Sequence, residues 1–132
     1  MSAEIFWLAL TVAMTGLVWA PYMLDRAVVR GLWPTLDNPV PSPKPQSPWA
    51  WRMMLAHHNA VDNLVVFAPL VLMLDAAGIS NGTTATACAA YFWARLVHLV
   101  VLTIGIPIVR TAAFLVGFGA QAVLVLALFG WM

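Results

Sequence analysis

Residues 52–67 read RMMLAHHNAVDNLVVF. The stretch opens on a cation, Arg52, and runs into an apolar sequence long enough to cross a bilayer. On the way it holds His57, His58, Asn59, Asp62 and Asn63. A central Asp costs roughly 2.5–3.5 kcal/mol on membrane-insertion scales, so polar residues at this depth point to a site, and other spans must supply their partners.

The surrounding chain justifies the word membrane. Its 132 residues are 63% hydrophobic and only 8% charged, with a mean hydropathy of +0.90. A soluble domain carries about 25% charged residues, so lipid is the main solvent here. At roughly 20 residues per span, the length suits a single domain of four spans. The expectation is an all-α integral membrane protein, a four-transmembrane-helix bundle. A net charge of +1 offers no nucleic-acid surface, and a single cysteine, Cys88, excludes an internal disulfide. Cys88 reads as a small packing residue.

The spans are expected at about 5–24, 52–74, 83–104 and 108–131. Val18-Trp19-Ala20 loosely resembles a leader cleavage site, but Glu4 precedes it without any Lys or Arg, and Pro21 follows it. The segment therefore reads as a retained span. Residues 25–51 differ in kind. They hold six of the nine prolines, between Pro34 and Pro48, and read as a stiff, extended cytoplasmic loop flanked by Trp33, Trp49 and Trp51 as interfacial anchors. Ser80-Asn81-Gly82 and Gly105-Ile106-Pro107 are turns. The loop cations Arg26, Arg30 and Lys44, with Arg52 and Arg110 at the span edges, lie on one side. The positive-inside rule puts that side in the cytoplasm and both termini outside, which is the periplasm for a bacterial inner membrane.

Depth brings the polar residues together. Asn59 and Asp62 lie roughly 10–15 Å beyond Arg52, at about 1.5 Å per residue. His98 and Arg95 reach the same depth from Gly105, and Arg110 and Thr111 open the last span on that side. At about 100° per residue, Arg52, Leu55, Ala56, Asn59, Asp62 and Asn63 share a wedge of roughly 120°. Tyr91, Arg95, His98 and Leu102 form a stripe about 60° wide by the same reckoning. His58 borders the first wedge; His57 points away from it. Two arginines, a histidine and amide donors suit an anionic ligand, with Arg95 free to pair with Asp62 as well. A metal would be opposed by Arg95 and Arg110, and no metal-binding spacing is present. Gln121 reads as helix-to-helix glue, and Gly117 and Gly119 as sites of close helix approach. A second reading keeps the cluster as glue alone, through a buried Arg95–Asp62 pair. A third is a proton relay through Asp62, His58 and His98, disfavoured by four short unbroken spans.

These residues also resemble a family, the membrane-associated proteins in eicosanoid and glutathione metabolism, or MAPEG. Its second-span motif, Arg-x-x-x-Ala-His-x-Asn-x-x-Glu, is matched by Arg52, Ala56, His57 and Asn59, with Asp62 in place of the glutamate. Ala94-Arg95-x-x-His98, Gly105-Ile106-Pro107 and Arg110-Thr111 resemble its second signature. The chain is most similar to the short bacterial members of unassigned function.

The resemblance implies a MAPEG-like homotrimer binding glutathione between subunits near the cytoplasmic face. It places Arg52, Asn59, Asp62, Arg95 and His98 in the glutathione site, and Arg110 or Thr111 near the thiolate as catalytic groups. Glutathione transfer or peroxidase chemistry on a lipophilic small molecule follows by analogy. Several further ligands of glutathione-using members are replaced here by Trp51, Leu55, His58, Leu102 and Phe114. The alternative is therefore a non-catalytic structural or accessory subunit of a larger membrane complex that retains the fold.

Overall fold

The computed structural model describes residues 1–131. In chain order its helices are α1 (Ala3–Leu17), α2 (Trp19–Arg30), α3 (Leu32–Leu36), α4 (Pro48–Ala76), α5 (Gly82–Ile104) and α6 (Pro107–Leu128), with no strand among the described residues. Pro21 has no N–H for the carbonyl of Leu17 and crowds it, which interrupts the hydrogen-bond ladder. The break falls at Val18, but this residue keeps helical torsions (φ −61°, ψ −25°), so α1 and α2 form one rod. Four rods are long and apolar enough to cross a membrane: Ala3–Arg30, Pro48–Ala76, Gly82–Ile104 and Pro107–Leu128. The protein is an integral membrane protein built as a four-helix bundle.

Two helices reach further than their apolar stretches. The first rod runs to Arg30 because nothing before Gly31, at φ +93°, demands a non-helical backbone. α4 begins at Pro48, since proline is suited to a first helical position. Rods of 28 and 29 residues extend about 42–44 Å at about 1.5 Å per residue, beyond a hydrocarbon core of about 30 Å. Their loop-side ends therefore stand in the headgroup region. There Gln46 Nε2 donates to the carbonyl of Tyr22 (2.8 Å) and the Ser47 amide donates to Asp25 Oδ2 (3.1 Å), joining α2 to the start of α4.

α5 packs against α1, α4 and α6. It starts at a reciprocal capping box between Asn81 and Thr84. It ends at Gly105 (φ +89°), where Ile106 N donates to Val101 O (2.8 Å) and Gly105 N to Leu102 O (3.2 Å), the Schellman pattern. Pro107 then starts α6 at once, so α5 and α6 return side by side.

The apolar core lies towards the termini. Leu8, Phe67, Leu70, Val71, Leu74, Cys88, Tyr91 and Leu124 are buried together there, and Phe67 stacks on Tyr91 with ring centroids 3.7 Å apart. A polar lock closes this end. Glu4 is only 2% exposed, and its carboxylate accepts hydrogen bonds from the hydroxyls of Ser80 (3.0 Å) and Thr84. Gln121 Nε2 reaches across from α6 to the carbonyl of Asn63 (3.1 Å). Of the two α6 glycines expected at close helix contacts, Gly117 faces Ala94 and Arg95 of α5, whereas Gly119 faces open space.

Candidate functional site

Towards the loop side the bundle opens. A cleft of about 370 Å³ lies between three helices, lined by Leu55 and Asn59 of α4, His98 and Leu102 of α5, and Arg110, Thr111 and Phe114 of α6. The tight Gly105-Ile106-Pro107 turn is the local cause. It sets the first turns of α6 beside the last turns of α5, so Arg110 and Thr111 meet His98 across the opening.

Behind the cleft lies Arg95, 2% exposed. Its Nη2 donates to Oδ1 of Asn59, while Nε and Nη1 are buried without a hydrogen-bond partner. The guanidinium also sits 5.9 Å from the centroid of the Phe114 ring, within the range of a cation–π contact. Because Arg95 donates to Oδ1, the Asn59 amide is oriented, and its Nδ2 is left as a donor with no acceptor among the described residues. His98 is 5% exposed, and its Nδ1 is likewise buried and unpaired. Arg110 and Thr111 are exposed at the mouth. The Thr111 hydroxyl makes only a long contact, 3.4 Å, to the carbonyl of Pro107.

The expected pairing of Arg95 with Asp62 is not formed. Asn59 takes the guanidinium, and Asp62, one turn further along α4 and rotated by roughly 60° at about 100° per residue, is exposed on the outer face. Arg52 also stands apart from the cleft. Its Nε donates to the carbonyl of Thr103 (2.9 Å) at the C-terminal end of α5, where a cation meets the negative pole of the helix. Its guanidinium packs over Gly105, where an added Cβ would lie 3.5 Å from Arg52 Cζ. His57 turns away from the cleft and its Nδ1 is 2.7 Å from the hydroxyl of Tyr22. His58 is exposed. Among the described residues no group of three or more His, Cys, Asp or Glu side chains is placed to hold a metal.

Phe114, singled out in the sequence only as a replaced ligand, lines the cleft four residues after Arg110 on the same helical face. Two features were not read from the sequence. Glu4 and Tyr22 belong to a buried stripe, Glu4-Leu8-Thr11-Thr15-Val18-Tyr22, whose alternating steps of four and three mark a packed helix face. The stripe was legible, but the partners of its polar members, on α5 and α4, were not.

Four apolar spans around a polar, one-sided cleft define a four-helix membrane protein. The model of the MAPEG family matches residues 5–130, nearly the whole chain, and the protein belongs to that family. Neither a curated protein nor a solved structure matches the chain.

Proposed function

We propose that the protein is a glutathione-dependent transferase or peroxidase that acts on lipophilic electrophiles and works as a homotrimer. The observation that carries this reading is the convergence of Asn59, His98, Arg110 and Thr111 on one cleft, with the Arg95 charge held behind it. Glutathione fits this donor set. It is an anionic tripeptide, and the cleft offers a free guanidinium, an amide donor and a hydroxyl, with two unpaired guanidinium nitrogens and an imidazole nitrogen close by.

When bound, glutathione supplies a thiol whose ionised form is the nucleophile. Arg110 and Thr111 have the catalytic role of stabilising negative charge on sulfur, one by its field and the other by a hydroxyl donor. Asn59 and His98 bind and orient the peptide. Arg95 acts through Asn59 and is a positioning residue. Leu55, Leu102 and Phe114 give the cleft an apolar wall that suits a lipid-soluble second substrate. Arg52 supports the site from outside by holding the end of α5 in place.

The trimer follows from the family resemblance, and Asp62 supports an interface between copies. This carboxylate lies midway along α4, between Pro48 and Ala76, yet it is exposed, as is His58 one turn earlier. Ionisable groups at membrane depth face protein or water rather than lipid. A second copy laid against this face would shelter both and close the open side of the cleft. The loop cations turn the cleft towards the cytoplasm, so in a bacterial inner membrane both termini face the periplasm.

The test is turnover. Purified protein with glutathione and an aryl halide should form the thioether, detected by mass spectrometry, and Arg110→Ala should lose most of that rate. A second reading, a non-catalytic accessory subunit, is favoured by Leu55, Leu102 and Phe114, which stand where glutathione-using relatives carry polar ligands. It predicts no thioether above the uncatalysed background.

A further inference from the structure

A second concave surface lies away from the cleft, where the first rod leaves the membrane. The end of α2, the short α3 and the loop after it form a cup of about 390 Å³. Arg26, Arg30 and Lys44 line it, together with Trp33 and a single acid, Asp37. The chain has six Lys and Arg residues in all, so half of its cations gather at this one place. Nothing in the proposed reaction uses them.

Their arrangement is fixed by the fold. Arg30 Nε donates to the carbonyl of Lys44 (2.6 Å), and Lys44 Nζ donates back to the carbonyl of Val29 (3.1 Å). These crossed bonds pin two like charges side by side. Arg26 Nε is held by Gln46 Oε1 (3.3 Å). Within the cup Asp37 offsets one of the three positive charges and leaves an excess of two. Asp25 lies outside the lining, where its carboxylate accepts from the Ser47 amide (3.1 Å). Among the described residues, Nη1 and Nη2 of Arg30 have no acceptor, so the cup presents a guanidinium fork of the geometry that phosphate takes.

A second groove, about 560 Å³, continues from the cup and shares Arg30 and Pro43 with it. Its other walls are apolar or weakly polar, with Pro45, Pro48 and Trp51 among them. Trp33 and Trp51 are 73% and 53% exposed, at the level where tryptophan anchors to the headgroup region. A basic cup that runs into an apolar groove at the membrane surface matches a molecule with a phosphate at one end and hydrocarbon at the other. We infer that Arg26, Arg30 and Lys44 form a phosphate site occupied by the headgroup of an anionic phospholipid, whose apolar part follows the Pro45–Trp51 groove. The lipid would clamp α2, α3 and the proline-rich loop together on the cytoplasmic side.

The experiment is a lipid titration of the full-length protein in detergent, read by native mass spectrometry. Phosphatidylglycerol, phosphatidylcholine and inorganic phosphate are the three probes. Phosphatidylglycerol should bind in preference to phosphatidylcholine, and each of Arg30→Gln and Lys44→Gln should weaken it roughly fivefold, the scale of one basic side chain at an anionic surface. Arg26→Gln provides a third variant that leaves the Arg30–Lys44 bonds intact, and circular dichroism checks that all three remain helical. Equal binding of the two lipids, or unchanged affinity in the folded variants, would overturn the site. Inorganic phosphate binding as tightly as phosphatidylglycerol would overturn the lipid as its source.

Discussion

Towards the termini, the four spans meet through Leu8, Phe67, Leu74, Tyr91 and Leu124, all buried, and Glu4 is satisfied by two hydroxyls. Towards the loop, the same helices part around Asn59, His98 and Arg110, and buried nitrogens of Arg95 and His98 stay unpaired. This small bundle keeps its close packing at one end and its unsatisfied polar groups at the other. A polar group in lipid is tolerated when fully hydrogen-bonded, as Glu4 is. A half-satisfied group buried in the bundle costs free energy, and it persists where a ligand or a neighbouring chain completes it.

Substitutions can break this contrast, beginning with the largest effect. Phe67→Ala removes a stacked ring from the closed half and should cost about 3–5 kcal/mol of stability. Unfolding by detergent titration measures it, and glutathione binding by the protein that stays folded should be unchanged. Glu4→Ala removes the charged acceptor shared by the hydroxyls of Ser80 and Thr84 and should cost about 1–3 kcal/mol in the same assay. Glu4→Gln, which keeps an acceptor, should recover part of that loss. Asp62→Leu removes a carboxylate that the lone protomer exposes to lipid. It should lower the mass measured by light scattering in detergent from that of the proposed trimer towards monomer, with helical content preserved. The smallest effect belongs to the α6 glycines. Gly119→Ala points into open space and should stabilise by up to about 1 kcal/mol through helix propensity. Gly117→Ala sets a Cβ 3.6 Å from Arg95 Cδ, so it should gain less, and a shift in glutathione affinity for Gly117→Ala alone would tie Arg95 to the site.

Much of the architecture was legible because lipid simplifies the reading. Apolar length marks the spans, and the prolines and glycines mark where they start and stop. The α5 stripe of Tyr91, Arg95, His98 and Leu102 is buried along its whole length, as periodicity required. Periodicity places residues on a face but does not choose between neighbours on it. Asn59 and Asp62 share one wedge of α4, and charge alone favoured Asp62 as the partner of Arg95. The guanidinium instead meets the amide, because contact depends on axial register between α4 and α5, which no single sequence reveals. Arg52 shares that wedge and is placed with the site by the family resemblance, while its Nε meets the carbonyl of Thr103 at the end of α5. The hydrogen bond between Tyr22 and His57 joins helices 35 residues apart, and neither residue signals the other.

Calorimetry in detergent asks directly whether the open half of the bundle holds glutathione. Wild-type protein should bind glutathione with measurable heat at millimolar concentration or below. Arg110→Ala, an exposed change with stability held within about 0.5 kcal/mol, should weaken binding at least tenfold, the loss of about 1.5 kcal/mol expected for one charged hydrogen bond. No heat from the folded wild type at millimolar glutathione, or equal affinity in Arg110→Ala, would contradict it.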